Sequence, residues 1–216
     1  HIMLVNLFYR AGVIIIIIDA DNEPFAFLHS KVYSFNLYNS MASDGIYAAL
    51  KKIISRDSLP PVVLCIGSDL SVGDSLGPLV GTILKNRLSE HNIYVYGTLS
   101  KPVTAHEVVY MNEFLKNSHP GQSVIAIDAA VGNSDDVGLL KIAPRGIKPG
   151  SGADKRLAKV GDVSVMGVVA EKSLFNYALF SATRLNMVYR MANIISDAIC
   201  DFYVDFLSRI NIGAAQ

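Results

Sequence analysis

Little in this sequence ties it to nucleic acid, to a membrane or to an oxidising compartment. It has no surplus of charge: 19 Lys and Arg stand against 19 Asp and Glu, and the formal net charge is zero. A basic face is the usual footprint of a nucleic-acid partner, so none is expected here. Cys65 and Cys200 are the only cysteines and form no Cys-x-x-Cys pair. That is too few for a disulfide framework and fits a reducing, cytoplasmic compartment. The most membrane-like stretch, residues 3–18, is broken by Asn6, Arg10 and Gly12, whereas a spanning helix needs ~20 apolar residues. It also lacks the basic start and small-residue cleavage site of a signal peptide. The run Ile14–Ile18 suits a buried strand better, and no stable membrane insertion is expected. Neither G-x-G-x-x-G nor G-x-x-x-x-G-K-[ST] occurs, so a dinucleotide fingerprint and a P-loop are both unsupported.

What remains is a globular chain. Its 216 residues are 51% hydrophobic and only 18% charged, long enough for one domain with a sizeable core. The organising stretch is Pro61–Gly81. Val62 to Ile66 is a short apolar run with the look of a strand buried on both faces. Gly67 ends it, a polar loop follows from Ser68 to Gly73, and then Leu76, Val80, Ile83, Leu84 and Leu88 recur at helical spacing.

Around this unit, residues 19–40 read as an irregular arm or short hairpin. Ser43 is placed to cap a helix running to about Ser55, with Ile46, Leu50, Ile53 and Ile54 on one face. Ile93–Tyr96 predicts a second strand. Thr104-Ala105-His106-Glu107 has the form of a capping box for a helix to about Asn117. Ser123–Ile127 predicts a third strand ending at Asp128, followed by a small-residue loop from Ala129 to Gly132. Gly138–Ile142 and Val163–Val169 predict two more strands, the last interrupted at Gly167. Residues 144–161 are rich in Gly, Pro, Lys and Arg and form a long loop, either a solvated one or a lid that attracts acidic substrate. A helix from about Ser181 to Ser208 carries Leu185, Val188, Ala192, Ile195, Ile199, Phe202 and Phe206 on its core side. Strands alternating with helices give an α/β class with a mainly parallel sheet covered on both faces. Residues 1–39 form an N-terminal arm or extra strand segment, and 40–216 a single domain. The apolar N-terminal segment could cover a neighbouring subunit in a homo-oligomer.

Chemistry centres on two acids. Asp74 lies in the loop after one buried strand and Asp128 at the end of another. Neighbouring parallel strands would bring both to the same sheet edge. Two close carboxylates do not easily ionise together, and the resulting acid and base could activate water. The same pair could hold a divalent metal ion, or each could simply cap a helix or turn. Gly73-Asp74-Ser75-Leu76 spells the nucleophile motif of GDSL esterases. No histidine follows His119, however, and serine catalysis needs a positioned base. Ser75 is therefore read as a residue near a helix N-terminus. His106, in the first turn of its helix, is a candidate third ligand or proton carrier, against the plainer reading of an exposed helical histidine. Cys65 is expected to be buried and inert.

The segments Leu64–Asp69 and Gly73–Gly81 resemble the signature of the YyaC family of sporulation proteins. Gly97–Leu99 with Lys101–Val103, Val124–Ala130, Val160–Val165 and Thr183–Asn186 resemble its later blocks, in order, over roughly residues 40–205. That family is similar to the spore germination protease and, more distantly, to hydrogenase maturation proteases. The resemblance implies a three-layer α/β/α, phosphorylase/hydrolase-like fold. It also implies a sporulation-associated peptidase acting on a peptide or small protein in the cytoplasm of a spore-forming cell. The alternative is a non-proteolytic member that binds a metal or a partner. The resemblance carries catalytic roles to Asp74 and Asp128; Ser68, Asp69, Gly73, Ser75, His106 and Asp162 are candidate binding residues. No cofactor is expected, with a divalent metal at Asp74 and Asp128 as the alternative. The hydrogenase proteases hold nickel with two acids and a histidine; Asp74 and Asp128 match the acids, and no clear counterpart of the histidine is found.

Overall fold

A computed structural model describes residues 32–54, 59–149, 159–172 and 183–213. The expected strand Ile14–Ile18, the middle of the 144–161 loop and the expected helix start at Ser181 lie outside the described residues.

The described chain runs β1 (Tyr33–Asn36), α1 (Ala42–Ile53), β2 (Val62–Cys65), a 3₁₀ turn (Gly73–Ser75), α2 (Leu76–Arg87), β3 (Val95–Tyr96) and α3 (Val108–Ser118). It continues through β4 (Val124–Gly132), a second 3₁₀ turn (Ser134–Asp136), β5 (Leu139–Ala143), β6 (Val163–Glu171) and α4 (Leu185–Gly213). One six-stranded sheet has the order β1-β5-β6-β4-β2-β3. β6, β4, β2 and β3 are mutually parallel, and β5 is antiparallel to both β6 and β1.

Side-chain alternation along the strands assigns the two faces. Val63 and Cys65 of β2, Ile125 and Ile127 of β4 and Leu140 and Ile142 of β5 pack with α1, α2 and α4 in the larger core. Val62, Leu64 and Ile66 face the other way, against Val108, Met111 and Leu115 of α3. The described residues thus form the expected α/β/α sandwich, with three of their helices on one face of the sheet and one on the other. Along α4, Val188, Ala192, Ile195, Ile199, Phe202 and Phe206 are buried, whereas Leu185 at its start is 59% exposed. The Tyr203 hydroxyl, fully buried on the same helix, donates to the Pro61 carbonyl at 2.5 Å and so fixes α4 to the entry of β2.

Several boundaries differ from the sequence reading. Part of the expected arm is strand: Tyr33–Asn36 pairs with Leu139–Ile142 at the sheet edge. α1 starts at Ala42, so Ser43 lies inside it. Asn39 instead accepts from the Met41 amide just ahead of the helix. Half of the Thr104–Glu107 box forms: Glu107 accepts from the Thr104 amide at 2.8 Å, but the Glu107 amide donates to the Thr104 carbonyl rather than to its hydroxyl, and regular helix begins only at Val108. β4 does not stop before Asp128. It runs on to Gly132 because β6 continues beside it, pairing Asp128 with Met166 and Ala129 with Gly167. For the same reason Gly167 does not interrupt β6.

Candidate functional site

β2 is short and β4 is long. Their ladder ends at the pair Cys65 and Ile127, after which the Ile66 amide makes one last bond to the Ile127 carbonyl at 2.7 Å. β2 then peels away, and the Gly67 amide turns to the Val103 carbonyl at 2.9 Å. The Ser68–Asp74 excursion closes on itself through a bond from the Ser68 amide to the Asp74 carbonyl at 3.2 Å. Two glycines permit this closeness. A Cβ on Gly67, whose φ is +137°, would fall 2.1 Å from the Asp74 carbonyl oxygen, and one on Gly77 would fall 2.1 Å from that of Ile66.

The chain after β2 goes through α2 to β3 on one side. α3 brings it back to β4 on the other side of β2. The gap between β2 and β4 is thus a topological switch point, where open α/β sheets collect ligands at the strands' carboxyl ends. Asp74 and Asp128 both lie at this edge, near enough for the charge of Asp74 to act on Asp128. Asp74, half-buried, sits in the 3₁₀ turn that leads into α2. Asp128 is 8% exposed and lies on the α3 side of β4, opposite in sense to Ile127.

Burial and neighbouring charge give the two acids different proton affinities. Burial pushes the Asp74 carboxyl above the ordinary value of 3.8, with the Ser68 amide working against the shift. Asp128 is held well above 3.8, first by its burial and then by the negative charge of Asp74. The amide of Ala129, which donates to Asp128 Oδ1 at 2.8 Å, is too weak to offset them. Both carboxyls are thus held above the ordinary range, Asp128 further than Asp74.

The other sequence-selected residues divide. Ser68, Asp69 and Gly73 lie on the loop between β2 and Asp74; Asp69 is exposed, and Ser68 Oγ accepts from the Leu70 amide at 3.2 Å. Ser75 is buried, and its hydroxyl donates to the Val72 carbonyl at 2.7 Å, a turn-closing bond rather than a nucleophile's pose. His106 is exposed and acts electrostatically on Glu107 rather than on either aspartate. Asp162 lies at the other end of the sheet: it accepts from the Val124 amide at 2.9 Å, about 13 Å of strand away from Asp128. There it borders a cavity of about 310 Å³ shared with Lys116, His119, Gln122 and Lys159. His119 is locked there, bonded to Tyr96 Oη at 2.7 Å and to Gln122 Oε1 at 3.1 Å. Cys65 is buried, and burial pushes its thiol up, which suits an inert core residue.

Among the described residues no three or more His, Cys, Asp or Glu converge as metal ligands. The two-acids-and-histidine set of a nickel site is therefore not supplied by Asp74, Asp128 and His106. No described helix is long and apolar enough to cross a membrane. Sequence reasoning did not find the Ser68 and Ala129 amides as partners of the acids, because backbone donors leave no signature in residue identity.

A solved structure of the NiFe hydrogenase maturation protease HycI from Thermococcus kodakarensis KOD1 is similar, with a TM-score of 0.40 and 17% identity over 69% of this chain and 97% of that one. The uncharacterized protein YyaC of Bacillus subtilis (strain 168) is 41% identical over 140 residues, covering 65% of this chain and 68% of that protein. The family described as "Protein of unknown function (DUF1256)" matches residues 34–198. The chain accordingly belongs to the DUF1256 family and is a relative of YyaC.

Proposed function

We propose that the protein is a peptidase-type hydrolase in which Asp74 and Asp128 together activate water against a peptide bond. The observation that carries this reading is the placement of two acids, one buried and one half-buried, at one switch point with the charge of one acting on the other. Asp74 ionises first, and its charge helps to keep the proton on Asp128. A carboxylate beside a carboxylic acid is the arrangement that general acid–base hydrolysis needs.

In the reaction, Asp74 takes a proton from water as its oxygen attacks the scissile carbonyl carbon. Asp128 gives its proton to the carbonyl oxygen. Collapse of the tetrahedral adduct breaks the C–N bond: the proton held by Asp74 passes to the leaving amine, and Asp128 takes back a proton from one hydroxyl of the adduct as the product carboxyl forms. The Ala129 amide, bound to Asp128 Oδ1, leaves Oδ2 as the atom that carries the transferable proton.

The test is cleavage of a mixed peptide library, read by mass spectrometry, with wild type, Asp74→Asn and Asp128→Asn. Each substitution should abolish cleavage and leave the far-ultraviolet circular dichroism spectrum unchanged. Cleavage that survives in both variants would falsify the mechanism.

A further inference from the structure

Asp128 does not stand alone on its face of the sheet. The β4–β6 ladder pairs it with Met166, and the β6–β5 ladder pairs Met166 with Lys141. Leu140 and Ile142 are buried in the three-helix core, so Lys141 between them points to the side that Asp128 faces. Asp128, Met166 and Lys141 thus form one row across three strands. Met166 and Lys141 are only half-buried, and the described helix on this side, α3, packs over β2 and the start of β4 rather than over this row.

The cation is held in place. Lys141 Nζ lies 2.9 Å from Asp136 Oδ1, with both side chains 21% exposed. Asp136 comes from the 3₁₀ turn that folds back over the end of β4. Gly132 allows that approach: a Cβ there would fall 3.0 Å from Asp136 Cβ and 2.9 Å from Val168 Cγ1. One carboxylate oxygen satisfies one of the three donors of an ammonium group, so Lys141 keeps donors for a second acceptor.

We infer that Lys141 is a carboxylate-binding subsite of the proposed hydrolase, selecting peptides with an acidic side chain a few residues from the scissile bond, and that Met166 supplies the apolar floor between the two. This rests on the Asp74–Asp128 reading for the position of the scissile bond. Two strand spacings separate Lys141 from Asp128, about 10 Å, which is about three residues of extended peptide. At that distance the ammonium serves recognition rather than proton transfer, so Lys141 is a specificity residue and not a catalytic one.

The library digest is repeated with Lys141→Met, Lys141→Glu, Lys141→Arg and Asp136→Asn. Wild type should favour sites with Asp or Glu within about three residues of the cut. Lys141→Met should lower kcat/KM for those sites roughly 10- to 100-fold, as loss of a charged hydrogen bond does, while neutral sites change little. Lys141→Glu should shift the preference to Lys and Arg, and Lys141→Arg should keep the acidic one. A merely structural ion pair predicts that Lys141→Met and Asp136→Asn fail alike on every site; the subsite predicts that Asp136→Asn still prefers acidic ones. Unchanged preference in Lys141→Glu overturns the inference. In parallel, a hexapeptide with one glutamate and its glutamine counterpart are titrated calorimetrically into Asp128→Asn, with and without Lys141→Met. Glutamate-selective binding that needs Lys141 supports the subsite even if wild type cuts nothing, an outcome that would count against the hydrolase alone. Equal binding of the two peptides counts against the subsite.

Discussion

The substitution Asp128→Asn should make the protein more stable near neutral pH and remove part of its pH dependence. Asp128 keeps its proton in the fold well above 3.8 because ionisation there would be buried and would meet Asp74. The unfolded chain offers neither restraint, so its aspartate ionises near 3.8. Below that value both states are protonated and the group contributes no pH dependence. Above it the unfolded state binds fewer protons than the folded state, and stability falls as pH rises until Asp128 ionises in the fold as well. The slope from this one group approaches 1.4 kcal/mol per pH unit at most. Asparagine matches the shape, can accept the 2.8 Å bond from Ala129 through its own Oδ1, and has no proton to lose. Urea unfolding at a series of pH values from 3 to 8 gives the two stability curves. They should lie within about 1 kcal/mol at pH 3 and diverge upward, the variant gaining on wild type. Parallel curves above pH 4, or a variant less stable than wild type at pH 7, would refute the assignment of a buried proton to Asp128.

Other outcomes follow from the same geometry. Cleavage should be bell-shaped in pH with both limbs above the ordinary carboxyl range, since it needs Asp74 ionised and Asp128 protonated; a profile whose acid limb lies below 3.8 would contradict the roles. Asp74→Asn removes the charge that faces Asp128, so carboxyl carbon NMR should show Asp128 titrating lower than in wild type; no movement would mean the two acids do not interact. Gly77→Ala drives a Cβ to 2.1 Å from the Ile66 carbonyl oxygen, and chemical denaturation should report a loss of about 2 kcal/mol or more. Tyr203→Phe strands the buried Pro61 carbonyl and should cost about 1–3 kcal/mol; a neutral result would show that solvent reaches that carbonyl.

What could be read from the sequence was what a single segment decides for itself. β2 and α2 show in the apolar run and helical spacing of Val62–Leu88, and the break at Gly67 marks the loop that carries Asp74. The buried face of α1 was legible for the same reason, as was most of α4. What pairing decides was not. Tyr33–Asn36 has no strand signature of its own and becomes a strand because β5, a hundred residues later, offers an edge. Ala129–Gly132 looked like a loop because small residues usually punctuate; beside β6 they continue the ladder. Asp162 carried a family motif, yet its carboxylate accepts from the Val124 amide at the amino edge, tying the start of β6 to the start of β4. Residue type could not reveal which end of the sheet it occupies.

The mismatch in strand length is what turns an ordinary parallel pair into a place for chemistry. Were β2 as long as β4, a residue of β2 would pair with Asp128, and an ionisable side chain there would be sealed beneath its neighbours. Because the ladder stops at Cys65 and Ile127, Asp128 is the first β4 residue past the end of the β2 ladder. Its exposure is low, and the Ser68–Asp74 loop that follows β2 presents a second carboxyl whose charge reaches it. The residues that shorten β2 matter as much as the acids themselves. Gly67 lets the chain leave the ladder, and the Ser68 amide bond to the Asp74 carbonyl brings it back. A Gly67→Ala variant should separate these effects. The added Cβ, 2.1 Å from the Asp74 carbonyl oxygen and at a φ of +137°, must displace the loop while β4 and Asp128 stay in register. The Asp128 carboxyl should then lose the influence of Asp74 and titrate lower by NMR, with the sheet amides still protected from hydrogen exchange. If Asp128 titrates as in wild type despite a displaced loop, its proton is held by burial alone, and the pair does not act as a unit.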